Sequence, residues 1–197
     1  MASCCGLILA GGLSTRMGTD KAQLYRNQQT MLEYSQSLLE SLGLEILVSG
    51  GDKGLPDIVH QAGPLGGIYS AINQHQLEGD ALLILPVDMP LLTPQVLQQL
   101  VGVGEASGSA VCYQGCYLPL YLPVNTALID YLKKVFPSEA LGVSIMPRSI
   151  NRMLAAVGVT QLHIADDQVL SNANTPEEWR TIKSLIVPEG GEHSDVE

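Results

Sequence analysis

Gly6-Leu-Ile-Leu-Ala-Gly-Gly-Leu-Ser-Thr-Arg-Met-Gly-Thr-Asp-Lys21 is the stretch on which the reading of this chain turns. Its first five residues, Gly6 to Ala10, form an apolar run with the length of a short buried parallel strand. Gly11, Gly12 and Gly18 follow, and glycine lets backbone N–H groups approach phosphate oxygens that a side chain would block. Arg16 and Lys21 then add mobile positive charge. A Gly-Gly pair after a strand is by itself an ordinary tight turn; joined to an arginine and a lysine, it suits a nucleoside triphosphate. Neither common phosphate-loop signature fits, because there is no G-x-x-x-x-G-K-[ST] and the glycine spacing is not G-x-G-x-x-G.

Composition narrows the possibilities further. With 197 residues, 46% hydrophobic and 15% charged, the chain suits one globular domain over residues 1–187, large enough for a three-layer core without staples. No apolar run approaches the roughly 20 residues that span a membrane. The N-terminus lacks the positive segment of a secretory signal, so a cytoplasmic location is expected. A net charge of −10 argues against a nucleic-acid surface, which would show a basic patch. Residues 188–197 carry acids, no Lys or Arg, and no apolar periodicity, and are read as a disordered acidic tail. An acidic protein that binds a polyanion needs a focused site of backbone amides, a few cations and a divalent metal. Cys4, Cys5, Cys112 and Cys116 do not have zinc-clip spacing and read as reduced thiols in strands, and the scattered histidines make a His-based metal site improbable.

Along the chain, apolar strands alternate with helical patterns, the mark of an α/β fold with a mainly parallel, Rossmann-like sheet covered on both faces. Thr30-Met-Leu-Glu33 is a capping box that opens a helix running to about Leu42, with Gly43 as its stop. Strands are expected at Leu44–Val48, at Asp57–His60 and at Ala81–Pro86, with a helix between the last two ending near His75. Thr93-Pro94 starts a helix to about Val101. Two strands flank Gln114-Gly115, helices follow near Asn125–Lys134 and Arg148–Val157, and a strand covers Gln161–Ala165. Thr175-Pro-Glu-Glu178 combines a capping box with a first-turn proline and opens the last helix, to about Ile186.

In open parallel sheets a ligand gathers at the carboxyl ends of the strands. Asp88, in Ile84-Leu-Pro-Val-Asp-Met-Pro90, sits there between two prolines. As structure it would be a cap or turn residue; as chemistry it is an oxygen ligand for Mg²⁺, which binds through one or two carboxylates plus substrate phosphates. Gly63-Pro-Leu-Gly-Gly-Ile68 reads equally as a plain loop into a helix. In Ser171-Asn-Ala-Asn-Thr-Pro-Glu-Glu178 the helix start explains Thr175, Pro176 and Glu178 but leaves Asn172 and Asn174, whose amides can face the cleft. Arg148 and Arg152, at i and i+4, share a helix face that is more simply solvated than functional.

These motifs together resemble the molybdenum cofactor guanylyltransferase (MobA) family of nucleotidyltransferases. Leu9–Lys21 is similar, position for position, to its opening L-A-G-G-x-S-x-R-M-G-x-D-K, and Pro86–Pro90, Gly63–Ile68 and Asn172–Glu178 to its P-x-D-x-P, G-P-L-x-G-I and N-x-N-T-P-E segments. Leu118-Pro-Leu-Tyr121 resembles the family's acceptor-side strand. The resemblance covers roughly Leu7 to Trp179, and it implies a three-layer sandwich of the nucleotide-diphospho-sugar transferase type. It implies nucleotide contacts by Leu9, Ala10, Gly11, Gly12, Lys21, Ser49, Asp57 and Asp88, with His60 an outside candidate and Ser49 standing where the family often has Asn. It further implies Mg²⁺ on Asp88, catalytic roles for Lys21, Arg16 and Asp88, and acceptor contacts by Asn172 and Asn174.

The implied reaction is transfer of GMP from GTP to Mo-molybdopterin with release of pyrophosphate. Cytidylyl relatives tend to read L-A-A-G where this chain has Leu9-Ala-Gly-Gly12, which favours guanine. Open alternatives are cytidylyl transfer to molybdopterin, nucleotidyl transfer to a sugar phosphate, and a non-catalytic GTP-binding delivery protein. The implied partners are the two substrates, with transient contacts to molybdoenzymes or other cofactor-biosynthesis proteins, and neither nucleic acid nor membrane.

Overall fold

Strand β1, Cys4–Leu9, lies inside the chain's larger sheet, and every residue after its first is buried. It is flanked by two parallel neighbours: β4 (Glu45–Ser49), in register from Cys5 opposite Glu45 to Leu9 opposite Ser49, and β5 (Ala81–Pro86), from Cys4 opposite Ala81 to Leu9 opposite Pro86. The computed structural model describes residues 3–11, 21–50, 54–59, 61–137 and 147–186. The expected acidic tail, Gly12, Arg16, Gly18 and His60 lie outside the described residues.

Side chains alternate along a strand, so β1 and β5 each feed two cores. Leu7 and Leu9 of β1, with Leu82 and Ile84 of β5, pack on one face under α2 (Gly63–His75), α4 (Thr126–Val135) and α5 (Ile150–Val157). Ile8, Leu83 and Leu85 pack on the other face under α1 (Met31–Glu40) and α3 (Pro94–Ser107), with Trp179 of α6 (Pro176–Lys183) at the edge. The result is the expected three-layer sandwich. Among the described residues no helix is long and apolar enough to cross a membrane.

Strand order in the six-stranded sheet is β4-β1-β5-β7-β6-β8, with β6 at Ala110–Tyr113, β7 at Cys116–Pro123 and β8 at Val159–Leu162. Strand β7 is antiparallel to both neighbours, while β6 and β8 pair in parallel. A two-residue turn cannot return a chain in parallel. Gln114-Gly115 is such a turn, and Gly115 takes a φ of +75° there, which favours glycine.

The two capping boxes form as read, at Thr30 with Glu33 and at Thr175 with Glu178. Three expectations shift. Residues 57–59 form no strand: Leu55 makes a lone bridge to Ser49, Pro56 has no N–H, and the Ile58 N–H donates to the Ser70 hydroxyl instead of to a ladder. Helix α3 continues past Val101 to Ser107, because its glycines sit where the helix needs no side chain and a left-handed Gly108 provides the cap. Strand β8 starts at Val159, directly after Gly158 ends α5, since pairing with Ala110 fixes its register. A small hairpin of β2 (Tyr25–Arg26) and β3 (Gln29–Thr30), turned by Asn27 at φ +54°, leads into α1 and was not legible from periodicity.

A Cβ on Gly104 would lie 2.1 Å from a ring atom of buried Tyr121 in β7, whereas one on exposed Gly102 would meet nothing within 4 Å. Alanine gains about 1 kcal/mol over glycine in a helix, but overpacking a core costs about 1–3 kcal/mol. Gly102→Ala should therefore raise, and Gly104→Ala lower, the urea midpoint of unfolding.

Candidate active site

The carboxyl ends of β1, β4 and β5 converge on one cleft. Ala10 and Gly11 both donate their N–H to the Ser49 carbonyl, at 2.9 and 3.1 Å, and the Val87 N–H donates to the Leu9 carbonyl at 3.3 Å. The Gly11 amide is therefore spent on β4 rather than held out for a phosphate. The close approach instead demands glycine at position 50: a Cβ on Gly50 would come within 2.4 Å of Gly11, whereas one on Gly11 would stand 3.4 Å from Gly50, an ordinary contact. Gly67, near the start of α2, is equally constrained, because a Cβ there would stand 2.5 Å from the Ser49 hydroxyl and 2.9 Å from Leu9. Helix α2 thus seats directly on the ends of β1 and β4.

The cleft has two lobes that share Leu9, Gly11 and Pro64. One, of about 470 Å³, is bounded by Ser49, Asp57, Gln61 and Gly67. The other, of about 490 Å³, contains Ala10, Lys21, Asp88 and Asn172. The structure thus divides the candidates: Ser49 and Asp57 in one lobe, Lys21, Asp88 and Asn172 in the other, with Leu9 and Gly11 on the ridge between them.

Charge in the second lobe is concentrated on one cluster. The Lys21 ammonium donates to Asp88 Oδ2 at 2.7 Å and to Asn174 Oδ1 at 2.6 Å. Both ionised side chains are less than one-fifth exposed, so the pair is shielded from bulk water yet open to the cavity. The segment bearing Asn174 is docked on Asp88 by its backbone as well, through the Ala173 N–H and the Asp88 carbonyl at 2.9 Å. Glu178 closes the arrangement by accepting from the N–H groups of Asn174 and Thr175 at 2.7 and 3.1 Å. The capping box that starts α6 therefore also orients Asn174. Arg148 and Arg152 do not line the cleft. Arg148 lies over the Phe136 ring, 5.5 Å from its centroid, and the charge of Arg152 is felt by the Tyr131 phenol, which puts both against α4.

Of one wall of the second lobe the sequence reading had only Leu118, in the expected acceptor-side strand. Gly115 of the β6–β7 turn, Cys116 and Tyr117 at the start of β7, and Ile150 at the start of α5 also line it. Because β7 runs antiparallel to β5, with Leu120 opposite Ile84, the residues that precede Leu120 lie beside those that follow Ile84. The signals for it were the Gln114-Gly115 hairpin and the resemblance of Leu118-Pro-Leu-Tyr121 to an acceptor-side strand, which had placed Leu118 here.

Residues 6–142 match the model of the MobA-like NTP transferase domain. The molybdenum cofactor guanylyltransferase of Xanthomonas euvesicatoria pv. vesicatoria is 32% identical over 178 residues, covering 88% of this chain and 91% of the relative. A probable molybdenum cofactor guanylyltransferase of Pelotomaculum thermopropionicum is 34% identical over 66% of this chain and 67% of its own. Among solved structures, molybdopterin-guanine dinucleotide biosynthesis protein A from Archaeoglobus fulgidus superposes with a TM-score of 0.65 at 19% identity, covering 91% of this chain and 97% of that one. The 2-C-methyl-D-erythritol 4-phosphate cytidylyltransferase of Thermus thermophilus gives 0.62 at 15% identity over 94% and 99%. At these identities the two structures establish the shared fold.

Cys116 is the thiol that faces the cleft. Its Sγ donates to the Leu118 carbonyl at 2.7 Å, and burial, with a smaller contribution from the Asp88 charge, raises its pKa above the usual thiol range. Burial likewise pushes Cys4 up to about 12 and Cys112 up to about 11. A raised pKa leaves little thiolate at neutral pH, and thiolate is the reactive form. Iodoacetamide should therefore label the folded chain slowly near neutrality, with a rate still climbing at pH values where an exposed thiol has levelled off; fast neutral labelling at Cys116 would contradict this.

Proposed function

The chain belongs to the MobA-like NTP transferase family, and from that premise we propose that it transfers GMP from GTP to Mo-molybdopterin, giving molybdopterin guanine dinucleotide and pyrophosphate. The observation that carries the reading is the Lys21–Asp88–Asn174 cluster at the strand ends, set in one lobe of a cleft whose other lobe lies across Leu9 and Gly11.

The acceptor's phosphate is already a nucleophilic anion, so no general base is required. What remains is to align two polyanions and neutralise charge growing on the α-phosphoryl group and the leaving oxygen. Lys21 provides a mobile cation for the departing pyrophosphate. Its ammonium donates to Asp88 and Asn174; triphosphate oxygens compete for it and leave the carboxylate open. Arg16, on the same glycine segment, adds a second cation.

Asp88 fits a magnesium ion: it is a partly exposed carboxylate facing the cavity, and among the described residues no cluster of three metal-ligating side chains surrounds it. Such a lone acid suits Mg²⁺, which takes one or two carboxylates and draws its other ligands from phosphates and water. When bound, Mg²⁺ supplies Lewis-acid neutralisation of the phosphate oxygens. Leu9, Ala10, Gly11 and Gly12 edge the nucleotide's path, and Ser49 and Asp57 take its nucleoside. A carboxylate is the natural acceptor for the adjacent N–H groups of guanine. Asn172 and Asn174 face the acceptor.

Calorimetry with GTP, CTP and ATP in the presence of Mg²⁺ should show selective GTP binding, weakened about tenfold or more in Lys21→Ala, the usual scale for a charge-assisted contact. Preference for CTP would point to cytidylyl transfer instead. Asp88→Ala should still fold, because the Ala173 N–H bond to the carbonyl of residue 88 survives the substitution, and lose on the order of 100-fold in turnover; unchanged pyrophosphate release by the folded variant would overturn the assignment.

A further inference from the structure

The half of the cleft that carries Lys21 and Asp88 ends on a wall with no charged side chain. Cys116, Tyr117 and Leu118 open β7 directly after the Gln114-Gly115 turn, and Ile150 comes from α5. The Cys116 thiol already donates to the Leu118 carbonyl, so it presents a neutral, soft surface rather than a free donor. Tyr117 differs from its neighbours. It is a large aromatic residue left 40% exposed, and of the large exposed hydrophobic residues it is the one that lines this cavity. An exposed ring at the edge of an otherwise neutral wall offers a π-face to a flat ligand, and it is unsuited to phosphate.

Ligand chemistry divides along the same line. Lys21 and Asp88, the groups assigned to phosphates, meet in this lobe, and Ser49 and Asp57, to which the nucleoside is assigned, line the other. The neutral wall remains for the other substrate. We propose that Tyr117 is a specificity-determining residue that stacks on the ring system of the acceptor, while the acceptor's phosphate is directed toward Lys21 and Asp88. The assignment rests on the transferase reading above and names the group that discriminates a flat heterocyclic phosphate from a sugar phosphate. Cys116, Leu118 and Ile150 complete an apolar slot, and the phenolic hydroxyl is not needed for the stacking.

The test uses 6-hydroxymethylpterin phosphate, a fluorescent and stable probe, titrated against the full chain alongside GTP calorimetry. Tyr117→Ala should weaken the probe about tenfold, the scale of one base–aromatic stack, with GTP affinity unchanged. Tyr117→Phe should restore probe binding to within about twofold. In turnover, Tyr117→Ala should raise KM for molybdopterin far more than it lowers kcat. Probe affinity unchanged in Tyr117→Ala, or lost equally with GTP affinity, would overturn the stacking role while leaving the transferase reading intact. A natural chain that binds the probe but not GTP would instead sink the transferase reading.

Discussion

Three distant parts of the chain meet on a single ammonium group. Lys21 follows the glycine segment, Asp88 follows β5, and Asn174 precedes α6, separated along the sequence by 67 and 153 residues. A cation and an anion brought together where water is scarce attract more strongly than at the surface, but each also loses hydration, so hydrogen bonds to the ammonium offset part of that cost. Asn174 accepts the second lysine hydrogen bond, and the Ala173 amide ties the segment to the Asp88 backbone. The cleft's electrostatics and the docking of the chain's last described helix thus rest on the same contacts.

The sheet explains why the cluster forms where it does. Parallel β1, β4 and β5 all end on the same side, and burial on both faces leaves their carboxyl ends as the natural opening. The fit is tight: Gly11 faces Gly50 and Gly67 faces Ser49, so helix α2 and the β4 loop approach β1 closely enough to divide the opening into two lobes. The reversal at β7 then sends a hairpin toward the end of β5, and the far lobe gains a neutral wall that a wholly parallel sheet would not have supplied.

Local signals with a short-range cause were readable in advance. Thr30 with Glu33 and Thr175 with Glu178 encode their caps within four residues, and Gln114-Gly115 encodes its turn. The strand expected at 57–60 failed for the opposite reason. Its apolar pattern was adequate, but Pro56 and the Ser70 hydroxyl removed the ladder partners that a strand requires. The Gly11 amide was read as a phosphate donor from its residue type alone, and only the neighbouring strand shows that Ser49 already holds it.

Sequence by itself determined the layered α/β architecture, the glycine segment, and the residue types able to handle phosphate and metal, because apolar periodicity, caps and chemical identity are properties of short stretches. Tertiary structure alone decided that Lys21 is shared by Asp88 and Asn174, that Ser49 and Asp57 belong to a different lobe from Asp88, that Arg148 lies over Phe136, and that Tyr117 lines the cleft. Each of these depends on strand order and direction, which bring together residues that no local interaction could have chosen.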